Sequence, residues 1–255
     1  MSIHVTRWGS AGPRVVLVHG GIQGGEGGAR SFSAQERLAA RGWQLVVPDR
    51  PGHGRSPDPG RPDDAEADGA WVAELLEDGA HLVGHSFGGC VALAAAAQRP
   101  AAVHSLTLIE PAMAAVATHD PRVRRWLIRV VLTNVLSLSA TARAKRFLRL
   151  VGVPPEMADA LEPGALRRMG QGLRRGKIPG KETLLRELAV VRRAGIPLLV
   201  VDGGWSPSFA GVTETVAALG GGRRLVIRSP HHFPQLASAE FDDALDAFLR
   251  SARRA

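Results

Sequence analysis

Residues 80–98 read Ala80-His81-Leu82-Val83-Gly84-His85-Ser86-Phe87-Gly88-Gly89-Cys90-Val91-Ala92-Leu93-Ala94-Ala95-Ala96-Ala97-Gln98. Ala80–Gly84 is a short apolar run suited to a strand covered on both faces, and Cys90–Gln98 is a strong helix former. Between them stands a serine flanked by glycines at a two-residue spacing. A sharp strand-to-helix turn needs small residues there, because it is strained and brings strand and helix close together. Such a turn exposes Ser86 Oγ above the sheet. It also places the Phe87 N–H at a helix N-terminus, available to a developing oxyanion. The strand-and-helix context carries this reading more than the five letters GHSFG do.

Outward from this turn, short β-branched runs alternate with alanine-rich amphipathic stretches, the pattern of a mostly parallel sheet with crossover helices. Strands are predicted at Arg14–His19, Gln44–Pro48, Ala80–Gly84, Ser105–Ile109, Pro197–Val201 and Arg223–Ile227, with residues 3–8 as an antiparallel edge. Helices are expected near 33–41, 64–77, 87–98, 208–219 and 239–250. In the last of these, Phe241, Leu245, Phe248 and Leu249 share one face and are read as core. The alternation breaks after Pro111. Residues 112–194 read as helices separated by Gly/Pro breaks, an insertion between strands that divides the core into 1–111 and 195–255. Within it Val123, Trp126, Leu127, Val130, Val131, Val135 and Leu138 form an apolar stripe, with Arg122, Arg125 and Arg129 outside it. An all-helical insertion at that point is expected to lie as a lid across the C-terminal strand edge, where ligands bind in open α/β sheets.

Composition narrows the function. A chain of 255 residues with 45% hydrophobic and 22% charged content suits a soluble α/β domain. The N-terminus has no apolar leader and no run is long enough to span a bilayer, while the single Cys90 fits a reducing compartment. These features predict a cytoplasmic protein with no membrane partner, monomeric or homodimeric. Of the formal charge of +8, residues 115–190 carry +9, with 15 Lys+Arg against 6 Asp+Glu. The basicity belongs to the insertion, contains no zinc-finger or RNA-binding motif, and reads as a solvated lid surface rather than a nucleic-acid interface. The glycine-rich His19–Gly28 stretch lacks the Gly-Lys-Ser/Thr ending of a phosphate loop, and no His/Cys/Asp cluster has metal-ligand spacing. No cofactor or metal is expected. Cys90, inside the helix after Ser86, reads as a buried small hydrophobe.

In order and spacing, these motifs resemble the α/β-hydrolase family over nearly the whole chain. The Gly84–Gly88 turn resembles its nucleophile elbow. His19-Gly20-Gly21 is similar to its His-Gly oxyanion loop, and Asp49-Arg50-Pro51-Gly52-His53-Gly54-Arg55-Ser56 to its D-x-x-G-x-G-x-S turn. His231-His232-Phe233-Pro234 resembles its G-H-x-P histidine loop. The resemblance implies Ser86 as nucleophile and His232, the histidine followed by x-Pro, as its base. It implies an oxyanion hole from the N–H groups of Phe87 and the Gly20-Gly21-Ile22 loop, chiefly Gly21. A serine is a weak nucleophile until an adjacent base takes its proton, so the pairing is also required chemically.

The acid has two candidate places. After the lid, the usual family position falls on Ser206, which cannot ionise usefully, and Asp202 lies within the strand end. Before the lid, the alternative family position is filled by Glu110. Glu110 is preferred, with Asp202 as the alternative, because a triad is defined by geometry rather than chain order. Ile22, Trp126 and Phe233 are the expected substrate contacts. The apolar lid stripe points to a fairly hydrophobic small molecule, and the lid arginines offer a hold for a carboxylate. Family members of the dehalogenase and epoxide-hydrolase type carry Asp where Ser86 stands, and the chain has no Tyr to open an epoxide. Ester or lactone hydrolysis is the first expectation and carbon–carbon cleavage beside a carbonyl the second. A hydrolase-like ligand-binding signalling protein is the non-enzymatic alternative.

Overall fold

The computed structural model describes residues 3–21 and 27–252. Seven strands form one sheet: β1 (Val5–Trp8), β2 (Arg14–Val18), β3 (Gln44–Pro48), β4 (Ala80–His85), β5 (Val103–Ile109), β6 (Leu198–Asp202) and β7 (Arg223–Val226). Their order is β1-β3-β2-β4-β5-β6-β7. β1 is antiparallel to β3 and the other pairings are parallel. The chain leaves β2 toward β3 and returns on the other side at β4. This reversal opens a crevice at the C-terminal strand ends, where open α/β sheets bind ligands.

The strand side chains divide by the period-two alternation of a pleated sheet. Val15 and Leu17 of β2 enter one layer with Leu38, Trp43, Phe241, Leu245, Phe248 and Leu249. Val16 and Val18 enter the other, with Val72, Leu93, Leu188 and Val216. Each fully buried aliphatic contributes roughly 1.5–3 kcal/mol relative to exposure. The crossovers are α1 (Gly27–Ser31), α2 (Ala65–Glu74) and α3 (Phe87–Gln98). The segment predicted as a helix near 33–41 forms a 3₁₀ helix at Ser33–Arg41, ended by Gly42 in the left-handed conformation.

Between β5 and β6 the chain forms α4 (Pro121–Leu136), α5 (Ala140–Leu150), α6 (Pro155–Asp159), α7 (Pro163–Arg175) and α8 (Lys181–Arg193). Asp120 caps α4 by accepting the Arg122 N–H at 2.7 Å, and Pro121 fits its first turn. Leu184, Leu188 and Val191 of α8 belong to the same layer as α3, so α8 covers the sheet. α5–α7 supply a separate cluster through Ala144, Leu148, Val151, Ala158 and Leu166, joined by Phe209 and Phe233. The final elements are α9 (Pro207–Gly220), α10 (Pro234–Ala237) and α11 (Ala239–Ser251).

The apolar stripe of α4 requires a correction. Val123 is buried and Trp126 and Leu127 are packed against the core, but Val131, Val135 and Leu138 face outward. Ile128, Leu132 and Leu136 join them on the exposed side. The helix carries apolar residues on two faces, and only one of them meets the core.

Candidate active site

Ser86 links β4 to α3 with φ 55 and ψ −123. A positive φ at a residue with a side chain costs on the order of 1–3 kcal/mol, so the surroundings must hold it. They do so through close packing. A Cβ at Gly84 would meet Gly88 O at 2.4 Å, and one at Gly88 would meet Val18 O at 2.2 Å. The Ser86 N–H also donates to Ile109 O at 2.9 Å. Ser86 is partly exposed, whereas His85 and Phe87 beside it are buried.

One strand over, Glu110 follows β5 and has φ 39, again strained. Its N–H donates to Val201 O at 2.8 Å, which aims the carboxylate across the ends of β5 and β6. Glu110 Oε2 lies 2.5 Å from His232 Nδ1. Oε1 accepts from the Gly203 N–H and from Trp205 Nε1, each at 2.8 Å. With the carboxylate accepting, the Nδ1 proton stays in place and His232 Nε2 keeps its lone pair. His232 stands beside the elbow, because its carbonyl accepts from His85 Nε2 at 2.8 Å and the two rings are 4.7 Å apart.

Burial sets the electrostatics. It pushes the Glu110 carboxyl up to about 7, against the opposing pull of the Gly203 N–H and the Trp205 indole. It lowers His232 to about 3, reinforced by His231, and so favours the neutral imidazole. His85 is likewise lowered to about 3, by burial and then by His232. The Cys90 thiol is pushed up to about 12, by burial and then by Glu187, and is inert at neutral pH.

The other acid candidate is otherwise engaged. Asp202 Oδ2 accepts from Thr213 Oγ1 at 2.9 Å and Arg224 Nε at 2.6 Å, while Oδ1 accepts from the Gly204 N–H at 2.9 Å. These bonds fasten β6 to α9 and β7.

Gly20 lies against Ser86: a Cβ there would be 2.9 Å from Ser86 Cβ. Gly21 is partly buried next to it, and Ile22 lies outside the described residues. Phe87 opens α3, so its N–H belongs to the first turn, where no helical carbonyl is available to it. Phe233 is buried, with its ring 5.1 Å from that of His85. Trp126 stands further off: its ring contacts Phe209 at 5.6 Å, and Phe209 in turn contacts His232 at 4.8 Å.

Three further residues shape the site without a sequence motif to mark them. Trp205 donates to both oxygens of Glu110, and Phe209 walls His232. Arg50, which the sequence offers only as part of a turn, is fully buried beneath the His19-Gly20 segment. Its guanidinium donates to His19 O at 3.1 Å and Gly20 O at 3.3 Å, is paired with Asp68 at 2.7 Å, and sits 4.7 Å from the Phe87 ring centroid. The only sequence signal for Trp205 was its place beside the usual acid position.

The sheet order, the strained serine turn and the carboxylate–histidine pair define a hydrolase architecture. A family profile described as the alpha/beta hydrolase fold matches residues 13–150, and the chain belongs to that family. It is 30% identical to a pimeloyl-[acyl-carrier protein] methyl ester esterase of Chromobacterium violaceum, over 94% of this chain and 92% of that one. It is 35% identical to lipase LipV of Mycobacterium tuberculosis over 63% of this chain, and spans only 60% of that lipase. It spans 41% of a second methyl ester esterase, from Aeromonas hydrophila, at 37% identity over 43% of this chain. Among solved structures, N-acyl homoserine lactonase AidH complexed with N-butanoyl homoserine is similar with TM-score 0.67 and 20% identity, covering 100% of this chain and 98% of that one. That last likeness is one of fold.

Proposed function

We propose that the protein is a serine hydrolase of esters or lactones of a fairly hydrophobic small molecule. The observation that carries this reading is the Glu110–His232 hydrogen bond of 2.5 Å beside the strained Ser86 turn. Ser86 Oγ attacks the substrate carbonyl as His232 Nε2 takes its proton. The carbonyl oxygen gains the electron pair and is held by the N–H groups of Phe87 and Gly21. Collapse of the tetrahedral species expels the alkoxide, which receives the proton from His232. Water then attacks the acyl-enzyme by the same route in reverse roles, releasing the acid and free Ser86. Glu110 keeps the imidazole in the useful tautomer and stabilises the imidazolium that forms at each step. No proton transfer to Glu110 is needed.

Relatives named as methyl ester esterases and a lipase support ester substrates. The apolar cluster of Phe209, Phe233 and the α5–α7 residues supports a hydrophobic acyl group under a lid formed within residues 112–194, with Trp126 as a further contact. Hydrolysis of p-nitrophenyl esters of increasing acyl length, beside an N-acyl lactone series, tests the reading. Turnover of either class that disappears in Ser86→Ala is the expected result. Absence of turnover on both series, with stoichiometric ligand binding, would favour a receptor-like protein instead.

A further inference from the structure

The outer face of α4 has no role in the chemistry above, yet it is the most apolar exposed surface of the described chain. Ile128, Val131, Leu132, Val135 and Leu136 are 48–64% exposed, and Leu138 just beyond the helix is 101% exposed. They recur at i, i+3, i+4, i+7 and i+8, which places the five helical ones on one continuous ridge. The ridge is a convex helix surface rather than a groove.

Arginines border it at one end and along one edge. Arg124 and Arg125 continue the same face toward the N-terminus of α4, and Arg129 runs along its edge. Across that edge Arg129, Thr133, Arg146, Arg149 and Leu150 line a depression of about 330 Å³. A second depression of about 450 Å³ shares Arg129 and Leu150 and adds Arg122 and Arg125. Arg122 is paired with Asp120 and Glu214. Among the described residues, Arg124, Arg125, Arg129, Arg146 and Arg149 have no carboxylate partner.

We propose that α4 lays this ridge into the surface of an anionic lipid bilayer, with the arginine depression holding lipid headgroups. A basic helix with one apolar exposed face settles in the plane of the interface, its apolar side buried about 5–10 Å deep. Each arginine at an anionic surface adds about 1 kcal/mol, or about fivefold in partitioning. The alternatives fit less well. A symmetric pair of copies through this ridge would set one basic rim against another. A nucleic acid would use the arginines but leave six apolar side chains in water. No described helix is long and apolar enough to cross a membrane, so the association is peripheral. The sequence expectation of no membrane partner rested on that same lack of a span, which does not bear on a helix lying flat.

Flotation of the full chain with vesicles tests the proposal. Strong binding to phosphatidylcholine/phosphatidylglycerol vesicles is expected, with weak binding to phosphatidylcholine alone and steep loss on adding salt. Arg125→Ala with Arg129→Ala should weaken binding on the order of 25-fold. Val131→Ser with Val135→Ser should weaken it at least about tenfold, with unchanged circular dichroism and thermal midpoint. Ser86→Ala should float like the parent, which separates this test from that of the hydrolase reading. Absence of flotation on anionic vesicles overturns the proposal, as does flotation that both double variants leave intact. So does a dimer that Val131→Ser/Val135→Ser dissolves while no vesicle binding is seen, which would give the ridge to a second copy.

Discussion

Glu110 and His232 lie 122 positions apart in the chain and meet through a 2.5 Å hydrogen bond in a fully buried setting. The carboxylate comes from the strand before the helical insertion, not from the strand after it. Trp205 and Gly203, which stand beside the place where the family usually keeps its acid, serve here as donors to that carboxylate.

Replacing Glu110 with Gln should preserve the fold but leave His232 without the partner that selects its tautomer. A comparable change in a serine protease lowers turnover about 10⁴-fold, and a loss of that order is expected in kcat. Asp202→Asn should behave differently. It loosens the bonds to Thr213 and Arg224, so it should lower thermal stability while the variant that remains folded turns over within about tenfold of the parent. Steady-state kinetics on both variants, with circular dichroism as the folding control, distinguishes the two carboxylates.

Trp205→Phe keeps the ring against Phe209 and removes the indole donor. A buried carboxylate that loses a hydrogen bond becomes harder to keep ionised, so the Glu110 carboxyl should rise further. The expected result is a fall in kcat of about tenfold with KM little changed, and an acid limb of the kcat profile displaced to higher pH. A pH–rate profile of the two proteins checks this; an unshifted limb would reduce Trp205 to a packing residue.

His85 offers a test in stability. Its pKa is lowered to about 3 by burial, while the unfolded chain protonates near 6.5. Between those values the unfolded state binds the extra proton, so stability supplied by the buried neutral ring is present above about pH 6.5 and is lost as pH falls. In His85→Gln that loss disappears. The destabilisation caused by the substitution should therefore be smaller at pH 5 than at pH 7.5, by about 2 kcal/mol. Denaturant titrations at the two pH values measure it, and an equal difference at both would contradict a buried neutral His85.

Much of this arrangement is legible in the sequence, for identifiable reasons. A Cβ at Gly84 or Gly88 would come within 2.5 Å of a backbone carbonyl oxygen, so the elbow leaves a mark that few other residues could satisfy. Glu110 ends an apolar run, and a carboxylate at the end of a buried strand stands out. Trp205 does not, because an indole donating across two strand ends depends on the tertiary path alone. Arg50 was hidden in the same way, since its buried pairing with Asp68 is invisible in a turn motif. The α4 stripe failed for another reason. Its apolar residues cover two faces, periodicity cannot say which face meets the core, and the structure buries Val123 while exposing Val131 and Val135.

The hydrolase reading depends on Ser86 becoming acylated. Treatment with a fluorophosphonate probe, followed by peptide mass spectrometry, reads this directly, with ester turnover measured on the same samples. The account predicts a single adduct on the peptide carrying Ser86, loss of turnover in proportion to labelling, and neither adduct nor turnover in Ser86→Ala. An adduct on another serine, or a Ser86→Ala protein that hydrolyses the same esters at the parent rate, would contradict it.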